Sequence, residues 1–366
     1  MKTFTLFFRS LMLLGNCLVI LLLIVAAYSD NVSPATSVTM AYLGLAFPLF
    51  CLFNLLFFLY WLLIKRWKYL LVSVLAFLIC WGPIRRYFPM HLKTDKVPQE
   101  NVIKVLTYNV MNFANKRHTP LSPNRIIKYI AESNADIVCI QEFMASKSEK
   151  ELNEKVINEA LAMYPHRSII RLNKGKYRST GLAVYSKFPI TKSREINYDS
   201  EYNGSSLHEL EVKGKKLVLI NNHLESFGLT QKDKSKYASV IKSMDTEVLE
   251  EIRGTFRQKM GPAFVTRAGQ AHLVAEEIAK AKADYLVVCG DFNDTPISYA
   301  HKVIQGDLID SFEESGFGMG VTYNQNLFLF RIDNILHSPS IKAYNCTVDQ
   351  VKYSDHYPMW CYLELK

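Results

Sequence analysis

Leu286-Val287-Val288-Cys289-Gly290-Asp291-Phe292-Asn293-Asp294-Thr295-Pro296 is a short apolar, β-branched run that ends in Gly-Asp-x-Asn-Asp and is closed by Thr-Pro. The pattern predicts a buried strand that delivers polar side chains at its carboxyl end and then turns. A buried strand has no structural need of an Asp and an Asn two residues apart at its tip. Alternation places Asp291 and Asn293 on one face of the extended chain. They form a carboxylate and an amide aimed at a common point, as a phosphate or metal site requires. The plainer alternative is an Asx-turn, in which both side chains bond their own backbone. Other strand ends of the same kind weigh against it.

The chain has 366 residues, 49% of them hydrophobic, with net charge +9 and a pI near 9.0. Its apolar residues concentrate at the amino end. Residues 10–28 form a nearly unbroken apolar run after Lys2 and Arg9. A second run covers about 39–64 and ends at Lys65-Arg66-Trp67-Lys68, and a third extends from Tyr69 to Ile84 before Arg85-Arg86. The first two are long enough to cross a hydrocarbon core of roughly 30 Å. The third is short and contains Gly82-Pro83, so a buried or interfacial helix is its alternative. Ala26 and Ala27 before Ser29-Asp30 also suit a signal peptide. The second span so close behind favours an uncleaved helix, and about three membrane helices are expected within residues 1–90.

Basic residues set the expected orientation. Lys2 and Arg9 flank the first run, the 65–68 loop has three Lys or Arg, and the 29–38 loop has none. The positive-inside rule places the amino terminus and the 65–68 loop in the cytoplasm. Three spans in a plasma or inner membrane then put everything beyond residue 90 outside, although Arg85, Arg86, Lys93 and Lys96 pull the other way.

Residues 1–96 carry nine Lys or Arg against two Asp or Glu, a net +7 that leaves only +2 for residues 97–366. A nearly neutral soluble part lacks the basic footprint of a tight non-specific nucleic-acid binder. That weakens a nuclease reading without excluding it. Among seven cysteines, Cys17, Cys51 and Cys80 fall in the apolar runs, and Cys139 and Cys289 sit among aliphatics as small buried thiols. Cys346 and Cys361 lie in the last two expected strands and are candidates for pairing. No spacing reads as a zinc site or a disulfide framework.

Residues 91–101 are polar, contain Pro98, and read as a linker to a domain over 102–366. Strands are expected at Val102–Tyr108, Asp136–Ile140, Thr180–Ser186, Leu207–Val212, Lys216–Asn222, Phe328–Leu336 and Met359–Leu363. Ser122-Pro123 is expected to cap a helix reaching about Ser133, with Ile126, Ile127 and Ile130 on its apolar face. A second amphipathic helix is expected over Glu149–Met163. Over 232–256, Tyr237, Val240, Ile241, Met244, Val248, Ile252 and Phe256 recur at helical spacing. Gly261-Pro262 is expected to break this helix before another at about 263–282.

Six peptides share one design, a β-rich run ending in cation- or phosphate-binding side chains. They are Asn109, Gln141-Glu142, Asn222-His223, Asp291-x-Asn293, Asp333 and Asp355-His356. Each alone has a plain alternative: a buried structural histidine, a Ser-Asp-His turn, a helix-capping glutamate. Six in one chain are hard to assign to accident. With them the chain resembles the endonuclease/exonuclease/phosphatase superfamily, which includes deoxyribonuclease-I-like enzymes, abasic-site endonucleases, neutral sphingomyelinases and inositol-phosphate phosphatases. The resemblance is carried by Thr107-Tyr108-Asn109-Val110, Ile140-Gln141-Glu142, Asn222-His223-Leu224, Gly290-Asp291-Phe292-Asn293, Arg331-Ile332-Asp333 and Ser354-Asp355-His356. These come in the family's order and cover 102–366.

The resemblance implies an α/β fold, a four-layered α/β/β/α sandwich of two mixed sheets flanked by helices. It also implies metal-dependent phosphoester hydrolysis. Carried over by motif, Glu142 is the principal metal ligand, with Asn109 and Asp355 nearby. Hard oxygen ligands suit Mg²⁺ or Mn²⁺. Asp291 would orient or deprotonate the attacking water, and Asn293 would hold a phosphoryl oxygen. His356 would contact the scissile phosphate with Asp333 fixing its tautomer, and His223 would donate to another phosphate oxygen. Asn222 and Arg178 are candidates for substrate contact, a surface role being the alternative for Arg178. Met111 stands where the family's nucleases often carry an acid. The expected partners are the lipid bilayer and a phosphoester substrate, either nucleic acid or a phospholipid or small phosphoester; no obligate protein partner is evident. A non-catalytic membrane scaffold of this fold would show a lost ligand or histidine, yet Glu142, His223, Asp291 and His356 are all present.

Overall fold

A computed structural model of the chain describes residues 2–366 apart from 199, 201, 231–232, 234, 236–245 and 326–327. The amino end is helical: α1 (Lys2–Ala27), α2 (Val38–Leu45), α3 (Phe47–Leu63), α4 (Trp67–Ile79) and α5 (Trp81–Tyr87). One helix, Leu6–Ala27, is long and apolar enough to cross a membrane. The second and third apolar runs are not straight helices: α2–α3 is bent by 53° and α4–α5 by 65°. Pro48 and Pro83 each remove a helical N–H just beyond the breaks.

A buried polar knot ties this segment into one bundle. Trp61 Nε1 and Ser73 Oγ donate to Asn16 Oδ1 at 2.9 and 3.1 Å, and Asn54 Nδ2 donates to the Ser73 carbonyl at 3.1 Å. All four side chains are fully buried. In apolar surroundings an unpaired amide is costly, so these bonds hold α1, α3 and α4 together.

The rest of the chain alternates β1 (Val102–Asn109), α6 (Arg125–Glu132), β2 (Ile137–Ser146), α7 (Glu154–Ala160), β3 (His166–Lys174), β4 (Arg178–Ser186), β5 (Ile190–Ile196), β6 (Gly204–Val212), β7 (Lys215–His223), α8 (Thr246–Lys280), β8 (Tyr285–Asp291), α9 (Tyr299–Gln305), β9 (Ile309–Asp310), α10 (Ser311–Ser315), β10 (Tyr323–Gln325), β11 (Phe328–Phe330), β12 (Asp333–His337), β13 (Ile341–Val348) and β14 (Met359–Leu365). Two six-stranded sheets run β13-β14-β1-β2-β4-β3 and β5-β6-β7-β8-β12-β9, with β10-β11 as a separate hairpin. In each sheet the central pair, β1-β2 or β7-β8, is parallel and the described neighbours are antiparallel.

Strand alternation builds the layers. Val105, Cys139, Leu219, Val287 and Cys289 face inward and fuse the two sheets into one core. The opposite faces carry Leu106, Val138 and Ile140 against α6 and α7, and Ile220, Val288 and Leu336 against α8 and α9. The result is the expected α/β/β/α order.

Several local expectations differ from the structure. The expected strand ending at Ile140 continues to Ser146, and the run 328–336 is interrupted at Arg331-Ile332. Helix α7 is confined to Glu154–Ala160, and the cap of α6 is Asn124, whose side chain accepts from the Ile126 and Ile127 N–H groups. Residues 236–245 of the expected 232–256 helix lie outside the described residues. Gly261-Pro262 does not end a helix: α8 runs through it. Buried Met260, Ala263 and Phe264 anchor both sides of the proline, so packing overrides the lost N–H. Cys346 and Cys361 are free thiols. The 91–101 segment is tied to the sandwich: His91 N donates to the Gly316 carbonyl at 3.0 Å, and Thr94 exchanges two bonds with the Asn345 side chain.

Candidate active site

Register brings the polar strand ends together. His223 lies level with Asp291 across the parallel β7-β8 pair, and Asp333 lies level with Asp291 across β12-β8. Gly290 makes this approach possible. Its φ is +123°, and a Cβ there would lie 2.1 Å from the Asn222 carbonyl oxygen. In the other sheet Asn109 is level with Gln141. The next residue sits in a β-bulge: Ile140 pairs with Ala183 but Phe143 pairs with Gly181. Glu142 absorbs the extra length with φ +52°, which turns its carboxylate towards the second sheet.

The two sets meet at one end of the sandwich. Asn109 Nδ2 donates to Glu142 Oε1 and to Asp291 Oδ2, each at 3.1 Å. His223 Nε2 is 3.8 Å from both of those oxygens. His356 Nδ1 bonds Asp333 Oδ2 at 2.8 Å, and its Nε2 is 3.6 Å from Asp291 Oδ2. The Asn293 N–H donates to Asp291 Oδ1 at 2.8 Å, and its side-chain amide donates to the Leu224 carbonyl. Asp355, Glu142, Asp291, Asn293, His223 and His356 line one cavity of about 170 Å³.

The electrostatics follow from burial and crowding. Burial raises the Asp291 carboxyl to about 6, with Asp333 adding to the rise and His356 and His223 opposing it. Burial works the other way on His356, lowering it. Asp333, Asp291 and Asp355 outweigh that and raise its pKa to about 10, so the ring is an imidazolium at neutral pH.

The tightest group of metal-ligating atoms among the described residues is Asp291, Asp333 and His356, all within 4.8 Å of one another. Within this trio His356 Nδ1 already serves Asp333 at 2.8 Å and its Nε2 faces Asp291 at 3.6 Å, and an imidazole nitrogen is a softer donor than a carboxylate oxygen. A hard cation fits better beside Glu142 and Asp355. Four carboxylates, of Glu142, Asp291, Asp333 and Asp355, converge against two histidines, and the buried Asp333 Oδ1 has no hydrogen-bond partner among the described residues. Uncompensated negative charge of this kind calls for a positive guest. Asn109 presents its N–H to Glu142, so it would turn its amide to serve as a ligand.

Two expected site residues stand elsewhere. Asn222 is fully buried, accepts from Ser205 Oγ at 2.6 Å and donates to the Cys289 carbonyl at 3.0 Å. Its side chain points away from His223, as alternation requires, and is a strut between strands in place of the expected substrate contact. Arg178 is solvent-facing, bonds Asn115 at 3.2 Å and lines a separate depression with Lys147, Glu151 and Tyr177. Sequence reasoning missed the other wall of the cavity. Tyr323 stacks edge-on to His356 at 5.2 Å, and Phe227, Leu229, Phe330 and Ile332 complete that wall. Phe227 and Leu229 come from the loop after β7, and Tyr323, Phe330 and Ile332 from the β10-β11 hairpin and its exit; of these only Ile332 falls within one of the family motifs, Arg331-Ile332-Asp333.

The sequence pattern of the endonuclease/exonuclease/phosphatase family matches residues 106–356, more than half of the chain. The chain belongs to that family. Members of the family are phosphoester hydrolases that use divalent metals. Residues 9–87 match a second pattern, described as a domain of unknown function. No curated protein matches the chain. Among solved structures, it is similar to the endonuclease/exonuclease/phosphatase from Beutenbergia cavernae DSM 12333, at 17% identity and TM-score 0.50, covering 73% of this chain and 72% of that one. It is also similar to a family protein from Bacteroides thetaiotaomicron, at 19% identity and TM-score 0.48, covering 72% and 94%. A third, from Leptotrichia buccalis, has 16% identity and TM-score 0.49, covering 72% and 99%. The first likeness shows the family's two-sheet fold and no more.

Proposed function

We propose that the chain is a membrane-anchored, divalent-metal-dependent phosphoester hydrolase, with a catalytic domain over 102–366 and an anchor over 1–90. The observation that carries this reading is the geometry of His356, held by Asp333 at 2.8 Å with its Nε2 3.6 Å from the Asp291 carboxylate. A fixed cation beside a fixed base is what attack of water on phosphorus needs. Asp291, a carboxylate at neutral pH, orients the water and accepts its proton as the oxygen–phosphorus bond forms, while the bond from phosphorus to the ester oxygen breaks and the alcohol leaves with a proton taken from solvent. His356 and His223 donate to phosphoryl oxygens, and Asn293 keeps Asp291 aimed through its N–H. Mg²⁺ or Mn²⁺ held by Glu142 and Asp355, with Asn109 as third donor, would neutralise charge on the phosphoryl group. The oxygen-only donor set supports such a hard ion over zinc.

The test uses the full chain in detergent or nanodiscs with a water-soluble phosphodiester. Chelator should abolish turnover and Mg²⁺ or Mn²⁺ should restore it. Glu142→Gln should stay folded and require at least tenfold more metal for half-maximal rate. Undiminished turnover in chelator would overturn the mechanism.

A further inference from the structure

The cavity has two unlike walls. Glu142, Asp291, Asp355, His223 and His356 form one, while Phe227, Leu229, Phe330 and Ile332 form the other. Phosphoryl chemistry needs only the first. The apolar wall is also joined to the helical bundle. Phe227 meets Phe264 of α8 edge-on at 5.1 Å, and Phe264 meets Tyr42 of α2 edge-on at 5.4 Å.

Other contacts place the bundle on the same end of the sandwich. The loop that leaves Asn293 packs there, with Ile297 fully buried among Leu23, Ala27, Phe47 and Tyr87. Arg331, two residues before Asp333, is buried and donates to the Arg86 carbonyl at 2.8 Å while pairing with Asp310 at 2.8 Å. The cavity thus sits at the end of the domain that carries the apolar helices, with its greasy side linked to them.

Resting on the hydrolase reading above, we infer that the substrate is an amphiphilic phosphodiester, a membrane phospholipid. Its phosphate would meet the carboxylate–histidine wall, and its apolar part would lie along Phe227, Leu229, Phe330 and Ile332. Aromatic walls can also stack nucleic-acid bases, but such sites pair them with a positively charged groove. Among the described residues lining this cavity there is no Lys or Arg, and residues 97–366 carry a net charge of only +2. The charge distribution favours the lipid.

The experiment measures kcat/KM of the full chain in nanodiscs, with Mg²⁺, on p-nitrophenyl alkyl phosphates from methyl to hexyl, each below its micelle concentration. The expected result is a rise of up to about fourfold per added methylene, the value of full methylene burial. Leu229→Asn and Ile332→Thr should each flatten the series, Leu229→Asn keeping the test alive should the buried Ile332 variant fail to fold. A flat wild-type series with a good rate on the methyl ester would overturn the lipid assignment alone. So would an unchanged slope in the folded variants, which would mean simple partitioning into the disc. A short oligonucleotide hydrolysed tenfold faster than the hexyl ester would turn the assignment to nucleic acid. Inertness towards the whole series, methyl ester included, would overturn the hydrolase reading and this inference with it.

Discussion

At His356 two opposing effects can be weighed. Burial of an imidazole favours its neutral form, yet three carboxylates nearby raise its pKa to about 10. Asp333 supplies both charge and a hydrogen bond at 2.8 Å. Asp333→Asn should therefore lower kcat by roughly a hundredfold, a typical size for a positioned proton donor, with little change in KM or in metal demand. His356→Ala should be at least as damaging, and the double mutant little worse than His356→Ala alone, because residues acting as a unit are not additive. A double-mutant cycle on kcat at saturating Mg²⁺ decides it. Fully additive losses would show that the two do not act as a pair. Asp291→Asn in the same background should add its own loss, since its partner is the water.

Among the elements, β6 carries a pH dependence unrelated to catalysis. His208 is fully buried, with Ser193 Oγ and Ser206 Oγ each 2.9 Å from a ring nitrogen. Burial lowers its pKa to about 4, against about 6.5 in the unfolded chain. Between those values the unfolded state binds the extra proton, so stability is complete above about pH 6.5 and falls as pH drops towards 4. The loss should reach about 3 kcal/mol. His208→Gln should flatten the thermal midpoint over that window, and an unchanged acid slope would remove His208 as its source. In β8, Gly290→Ala should destabilise the fold by more than about 2 kcal/mol, because its Cβ would meet the Asn222 backbone and its φ is positive. A thermal midpoint within a degree of wild type would show that β7 and β8 can part there without cost.

For the whole molecule, the helical bundle is a structural neighbour of the site as well as the proposed anchor. Deleting residues 2–90 would uncover Ile297 and take the Arg86 carbonyl from the buried Arg331. The remaining domain should unfold at a lower temperature, by roughly 2–4 °C per kcal/mol lost. Calorimetry showing an unchanged midpoint would mean that the two parts are independent. The proposed orientation is checked separately. Protease added to intact cells or spheroplasts should digest residues beyond 100, whereas protection until lysis would refute three spans with an external domain.

What could be read from the chain alone was whatever is written locally. Asn109, Glu142, His223 and Asp291 each follow a run of apolar residues, and that periodicity marks both the strand and its polar tip, whereas Asp333 opens β12 and Asp355-His356 lie in the loop before β14, contrary to the expected strand ends. Their order also carried the family resemblance and, with it, the layered fold. Tertiary structure decided the rest, because it depends on what is opposite. The β2 bulge that turns Glu142 exists only against β4, and Asn222 became a strut once Ser205 and the Cys289 carbonyl lay beside it. Pro262 stays within α8 because its neighbours are held in a core. The apolar wall of Phe227, Leu229 and Phe330, joined by Ile332 of the Arg331-Ile332-Asp333 motif, was not legible as a surface, since pieces far apart in the chain become one only when the sheets close.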